Sequence, residues 1–170
     1  MGRGVTMRNR TMPDTMTDPI RLRLALPADA DLVREISAAA YLPAYLAILG
    51  AAPRPAFEDP APRIARAEVH LLERSGQVLG VLMLEPAADH LTIYSLAVRP
   101  SAQGTGLGRA LLAFADGMAI EAGLREVRLY TNTRMSRNVA LYRAAGFVES
   151  GVREHPSRPG EFLVDMAKRL

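Results

Sequence analysis

The chain has 170 residues, 49% of them apolar, and its 21 Lys and Arg against 18 Asp and Glu leave a net charge of +3. That is one domain's worth of chain, and basic residues this dispersed, with few aromatics among them, exclude a nucleic-acid stripe. The absence of cysteine excludes disulfides, a thiol nucleophile and a Cys-ligated zinc, and the three histidines (His70, His90, His155) lie too far apart for an H-x-x-x-H metal pair.

Residues 1–19 show no apolar periodicity and lack the apolar core of a secretory signal, so they read as a disordered tail before a single domain over residues 20–170. No apolar run approaches the roughly 20 residues of a membrane span, and a cytoplasmic protein without a membrane or metal partner is expected. Ile20 to Leu26 alternates with period two and predicts a strand that Pro27 breaks. Asp29 or Asp31 caps a helix through Leu32, Val33, Ile36 and Ala40. The proline-rich stretch 41–62 interrupts it, and a second helix is expected over Ala61–Ala67. Val69–Arg74 and Gln77–Leu84 form a hairpin around Ser75-Gly76, and His90–Val98 is the next strand.

From Leu96 the chain reads LAVRPSAQGTGLG, a strand end, a glycine-studded loop and then the helix whose core face is Leu107, Leu111, Phe114 and Met118. Gln103, Gly106 and Gly108 make the pattern Q-x-x-G-x-G. A helix N-terminus carries unpaired N–H groups and partial positive charge, and glycines let an anion approach them, so the loop suits a pyrophosphate. A P-loop is excluded because no Gly-Lys-Ser/Thr triplet occurs, and G-x-G-x-x-G fails at its third glycine from either Gly104 or Gly106. The loop alone is also compatible with an ordinary glycine-rich connection.

Past Gly123, which ends that helix, Glu126–Tyr130 is a strand. Ser136 can cap a short helix that Gly146 stops, and Asn138 and Tyr142, four apart, share a face of it. Phe147–Arg153 and Glu161–Ala167 complete the sheet. Val98, Pro100, Gln103, Gly106 and Gly108, together with Asn132, Asn138, Tyr142, Gly146 and Phe147 and the closing Asp165-Met166, Lys168 and Leu170, resemble the GNAT superfamily of N-acetyltransferases across most of residues 20–170.

The resemblance implies a single-domain α/β fold: a mixed, mostly antiparallel twisted sheet of about six to seven strands with about four helices. It implies acetyl-CoA as the cofactor, its pyrophosphate on Gln103, Gly104, Thr105, Gly106, Leu107, Gly108 and Arg109. The pantetheine arm would then pair with backbone at Leu96, Ala97 and Val98 where two strands splay apart. Asn132 and Asn138 join the cofactor side, and Tyr142 falls at the general-acid position. The amide of Leu96 or Ala97 is the expected oxyanion donor. Some relatives carry a glutamate base on the central strand where this chain has Thr92, so Tyr94, His90 or Glu85 is left to relay a proton through water.

The acceptor site is expected within residues 41–62. Tyr41, Tyr45, Phe57, Glu58 and Asp59 gather there, Tyr94 of the central strand is a further acceptor candidate, and carboxylates among aromatics suit a cationic amine as well as they suit ordinary packing. The expected reaction is acetyl transfer to a small-molecule amine by direct attack in a ternary complex. A peptide acceptor (N-terminal or lysine) and a non-catalytic acyl-CoA module are the alternatives, and the resemblance allows a homodimer.

Overall fold

Buried apolar residues follow one another without alternation in the strands Val69–Arg74 (β2) and Gln77–Pro86 (β3), as they do when a sheet is covered on both faces. Leu71, Val81 and Met83 enter one core layer, and Leu72, Leu82 and Leu84 the other. The computed structural model describes residues 18–170. Besides β2 and β3 it contains Arg21–Leu24 (β1), Leu91–Val98 (β4), Glu126–Asn132 (β5), Val148–Glu154 (β6) and Phe162–Arg169 (β7). The strand order is β1-β2-β3-β4-β5-β7-β6, antiparallel throughout except between β4 and β5.

Among the described residues four α-helices cover this sheet: Ala30–Leu49 (α1), Ala61–Ala65 (α2), Leu107–Glu121 (α3) and Ser136–Ala144 (α4). Val33 and Ile36 of α1 and Ile64 of α2 fill one layer. Leu111, Leu112 and Ala115 of α3 with Val139 of α4 fill the other. This is the mixed, mostly antiparallel architecture that the resemblance implies. All but two residues of the expected N-terminal tail lie outside the described residues.

Three local expectations are corrected. Helix α1 does not stop near residue 40 but runs to Leu49 through Pro43. Proline costs one helical hydrogen bond, yet Pro43 is exposed while Tyr41 and Tyr45 on either side seat α1 against β4 and α4. With its preceding turn, Pro27–Leu49 is long and apolar enough to cross a membrane, where no such run was expected. In this fold its polar side is tied into the domain, by Arg34 to Asp59 and by Glu35 to Arg99. Ser136 is the first residue of α4 rather than its cap. Asn132 orders that turn instead: its side-chain oxygen accepts the Arg134 N–H (3.0 Å) and its carbonyl accepts the Met135 N–H (2.9 Å).

The functional geometry begins with one extra residue in β4. Ile93 pairs with Leu84 and Ser95 with Met83, which leaves Tyr94 unpaired in a bulge. A bulge flips the face of everything after it. Leu91 and Ile93 therefore face the α3–α4 layer before it, and Leu96 and Val98 face the same layer after it. Pairing with β5 stops at the same place, since Leu91↔Val127 and Thr92↔Arg128 are the only register pairs between the two strands. Beyond Thr92 the parallel strands diverge, and the sheet opens between their C-terminal ends.

Candidate active site

The opening between β4 and β5 is filled from α1. The Tyr41 hydroxyl donates to the Leu96 carbonyl and accepts the Leu96 N–H, both at 2.9 Å, and stands 2.9 Å from the Ser95 hydroxyl. A residue's N–H and C=O point to the same edge of a strand, so this one phenol answers both groups that a paired strand would have met. Ala97 pairs with Val81 of β3, and by the same alternation its N–H is turned away from the opening. Of the two expected oxyanion donors, only Leu96 faces it. Burial pushes the Tyr41 phenol well above its ordinary pKa of 10.

On one side of Tyr41 lies a cavity of about 670 Å3 between α1, the loop Pro100–Gly106, the start of α3 and α4. Gly104 and Gly106 have φ of +75° and +88°, conformations that other residues rarely adopt. Thr105 and Gln103 spend their side chains on the loop itself, donating to the Ala102 carbonyl (2.6 Å) and the Val98 carbonyl (3.0 Å). Leu107 is buried and anchors α3 in the core. None of the N–H groups from Gly104 to Arg109 meets a protein acceptor among the described residues. Six successive free donors at a helix start, with Arg109 and Arg137 on the wall, form an anion cradle. That is the donor set a pyrophosphate needs, and the cavity continues to Leu96, Val98, Asn138 and Tyr142.

On the other side lies a second cavity of about 430 Å3. All five tyrosines of the chain, Tyr41, Tyr45, Tyr94, Tyr130 and Tyr142, line it. Tyr41 and Tyr45 meet edge to face at 5.6 Å. The guanidinium of Arg63 stacks 3.6 Å from the Tyr94 ring, whose hydroxyl donates to Glu58 (2.8 Å). Burial first, and then the Glu58 carboxylate, push the Tyr94 phenol upward. Tyr41, Tyr45, Leu96 and Tyr142 line both cavities. The Tyr142 hydroxyl makes no hydrogen bond to protein among the described residues. Burial, with Tyr41 and Tyr45 beside it, pushes its pKa far up.

The structure therefore brings Leu96, Val98, Gln103, Gly104, Gly106, Gly108, Arg109, Asn138 and Tyr142 to the first cavity. Ala97 and Leu107 are core residues beneath it, and Asn132 lines the second cavity instead. Tyr41, Tyr45 and Tyr94 stand on the second cavity's wall. Glu58 does not line that wall itself: its carboxylate lies directly behind it, shared by Arg63 (2.7 Å), the Tyr94 hydroxyl (2.8 Å) and Arg54 (3.1 Å). Sequence reasoning missed Tyr130, Arg54, Arg153, His155 and Arg158, all of which line it. The last three arrive on the β6–β7 hairpin, which the strand order places beside the end of β5, and no local pattern announces that.

Residues 65–149 match the family model for the acetyltransferase (GNAT) domain, half of the chain. Over 93 residues, 48% of this chain, it is 38% identical to a mycothiol acetyltransferase of Cellulomonas flavigena. It is 37% identical over 98 residues to that of Sanguibacter keddieii. The matched stretch spans 27% and 31% of those proteins, under a third of their length. Solved structures agree over 89% of this chain. The ribosomal-protein-S18-alanine N-acetyltransferase of Escherichia coli superposes with TM-score 0.69 at 21% identity over 94% of its chain. The PaiA N-acetyltransferase of Thermoplasma acidophilum, in complex with coenzyme A, superposes with TM-score 0.70 at 17% identity over 99% of its chain. A glycine cradle at the start of α3, a sheet that opens after a bulge and a match across the segment that builds both place this chain in the GNAT family of acetyltransferases.

Proposed function

We propose that the chain transfers an acetyl group from acetyl-CoA to the amine of a small molecule, by direct attack within a ternary complex, with Tyr142 as the general acid. The observation that carries this reading is the position of Tyr142, whose hydroxyl makes no hydrogen bond to protein among the described residues, on the wall that both cavities share. Acetyl-CoA supplies the acetyl thioester, so that an amine gains the acetyl group, loses a proton and leaves a thiol behind. The free N–H groups of Gly104 to Arg109 suit its pyrophosphate, and backbone at Leu96 and Val98 suits its pantetheine arm. Any phenol is protonated at neutral pH, the state a proton donor requires, and burial of Tyr142 does not alter that. The Tyr94 hydroxyl, already donating to Glu58, offers a route by which a proton from the amine moves toward a carboxylate. That route replaces the base that Thr92 cannot be.

The size of the second cavity favours a small acceptor over a protein. The Arg158 guanidinium donates to the Ala52 carbonyl and ties the β6–β7 turn, whose residues 155–158 line this cavity, to the segment after α1. The first test is a thermal-shift titration with acetyl-CoA, using NADH and ATP as controls. At about 100 times its dissociation constant a ligand adds roughly 2.7 kcal/mol, enough to move the midpoint by several degrees. Protection by acetyl-CoA alone, followed by thiol release with an amine panel, is the expected result. Equal protection by all three ligands contradicts the reading.

A further inference from the structure

The charged groups that line the second cavity are three arginines, Arg54, Arg153 and Arg158, and no aspartate or glutamate lines it among the described residues. They come from three segments: the turn after α1, strand β6 and the β6–β7 loop. Each is steadied from outside the cavity. Arg153 gives its Nε to both oxygens of Asp165 (2.9 and 3.1 Å), and its guanidinium lies 5.1 Å from the Tyr130 ring centre. Its two Nη atoms make no hydrogen bond among the described residues. Arg54 likewise turns its Nε to Glu58 at 3.1 Å. Arg158 is held by the Ala52 carbonyl, with Glu161 at 3.6 Å.

His155 completes the rim. Its Nδ1 accepts the Ser157 N–H (3.1 Å), so the neutral ring carries its proton on Nε2. Every ionisable side chain on this rim is thus a donor, and the nearby carboxylates are spent holding the arginines from behind. A purely cationic acceptor such as a polyamine would face guanidinium donors with no carboxylate on the wall to receive it, because the paired carboxylates stand behind the arginines. A guanidinium fork held at Nε, with its Nη edge open, is the geometry that takes a carboxylate or phosphate through two parallel hydrogen bonds.

We propose that this rim is an anion subsite, so that the acceptor bears a carboxylate or phosphate, held by Arg54, Arg153 and Arg158, in addition to its reacting amine. This rests on the transferase reading above and replaces the cationic acceptor that the sequence suggested. The amine then lies toward the tyrosines and the anion toward the rim. Tyr142 and the three arginines line the same cavity, so one acceptor can present its amine to the phenol and its anion to the guanidinium groups.

The test is a set of matched acceptors: the common amino acids against their carboxamides, and aminoalkyl phosphates against the parent amino alcohols. Thiol release with acetyl-CoA and thermal protection in the presence of coenzyme A are measured on each. The anionic member of the best pair is expected to exceed its neutral partner by about tenfold or more in kcat/KM, and the two arms tell carboxylate from phosphate. Arg153→Gln is expected to raise the KM for that acceptor about ten- to hundred-fold, with kcat within about twofold and the neutral partner unaffected. Arg54→Gln, at a side chain 78% exposed, repeats the test where folding is not at stake.

Neutral or cationic amines used as well as the anionic ones, with Arg153→Gln and Arg54→Gln silent, would overturn the subsite and leave the transferase reading standing. If no amine releases thiol although acetyl-CoA binds, the transferase reading fails and protection decides the subsite. Arginine-dependent protection by the anionic compounds keeps it, and the lack of any protection refutes it.

Discussion

The Tyr41 hydroxyl lies 2.9 Å from both the N–H and the carbonyl of Leu96, in the place a neighbouring strand would occupy. It satisfies the one residue of β4 that the opening of the sheet leaves unpaired at the junction of the two cavities. Either this contact yields to a bound cofactor or it is kept as part of the wall. Tyr41→Phe separates the two. Without ligand the variant loses about 1–2 kcal/mol of stability. If the cofactor takes over Leu96, the loss shrinks at saturating acetyl-CoA, as unfolding midpoints with and without it will show.

Burial holds Tyr41, Tyr94 and Tyr142 protonated well past the pH at which a free phenol ionises. A raised pKa in the fold means that the native state binds the proton more tightly than the unfolded chain. Stability from this source is therefore complete below about pH 10 and falls as the pH rises above it, by about 1.4 kcal/mol per pH unit for each phenol. Urea unfolding at pH 8, 9, 10 and 10.5 should be flat and then drop. Tyr142→Phe should flatten the drop by one phenol's share.

Two glycines of the loop differ in what they are for. Gly106 has φ of +88° with open space where a side chain would stand, so Gly106→Ala is penalised by backbone conformation, about 1–2 kcal/mol. Gly108 has no such conformation, and a methyl there meets Leu141 at an ordinary 3.5 Å. Gly108→Ala should leave stability within about 0.5 kcal/mol. Calorimetry of both variants, with acetyl-CoA titrated into each, separates the structural cost from any cost in binding.

Arg63 is 12% exposed and joins Glu58, Glu68 and Glu85 at 2.7, 3.1 and 2.7 Å while stacking on Tyr94. Removing the shared cation leaves half-buried carboxylates without their partner. Arg63→Met should cost about 3 kcal/mol by denaturant unfolding, more than Arg66→Met at the rim of the same cluster.

Much of this molecule is legible in the sequence because its signals are local. The hairpin around Ser75-Gly76, the glycine loop before Leu107 and the i,i+4 pair Asn138 and Tyr142 are set by turn chemistry and helical period, and each stands where the pattern puts it. Pro43 misled because a proline's missing hydrogen bond is a fixed local cost, whereas the packing of Tyr41 and Tyr45 that outweighs it is tertiary. Glu58 misled for a similar reason, since composition shows a carboxylate near tyrosines but not the arginine five residues on that claims it. Of the arginine rim, Arg54 lies within the stretch 41–62 but Arg153 and Arg158 were beyond reach. Their placement depends on β7 lying between β5 and β6, which carries Arg158 to the carbonyl of Ala52, 106 residues away in sequence.

The account turns on one phenol standing between the two cavities, and a single variant tests it. Single-turnover acetyl transfer by Tyr142→Phe should be slower by about a hundred- to a thousandfold, with acetyl-CoA affinity and the thermal midpoint close to those of the parent protein. Transfer at the parent rate with intact cofactor binding would contradict the account and leave Tyr142 an aromatic prop for α4, packed edge to face on Phe147.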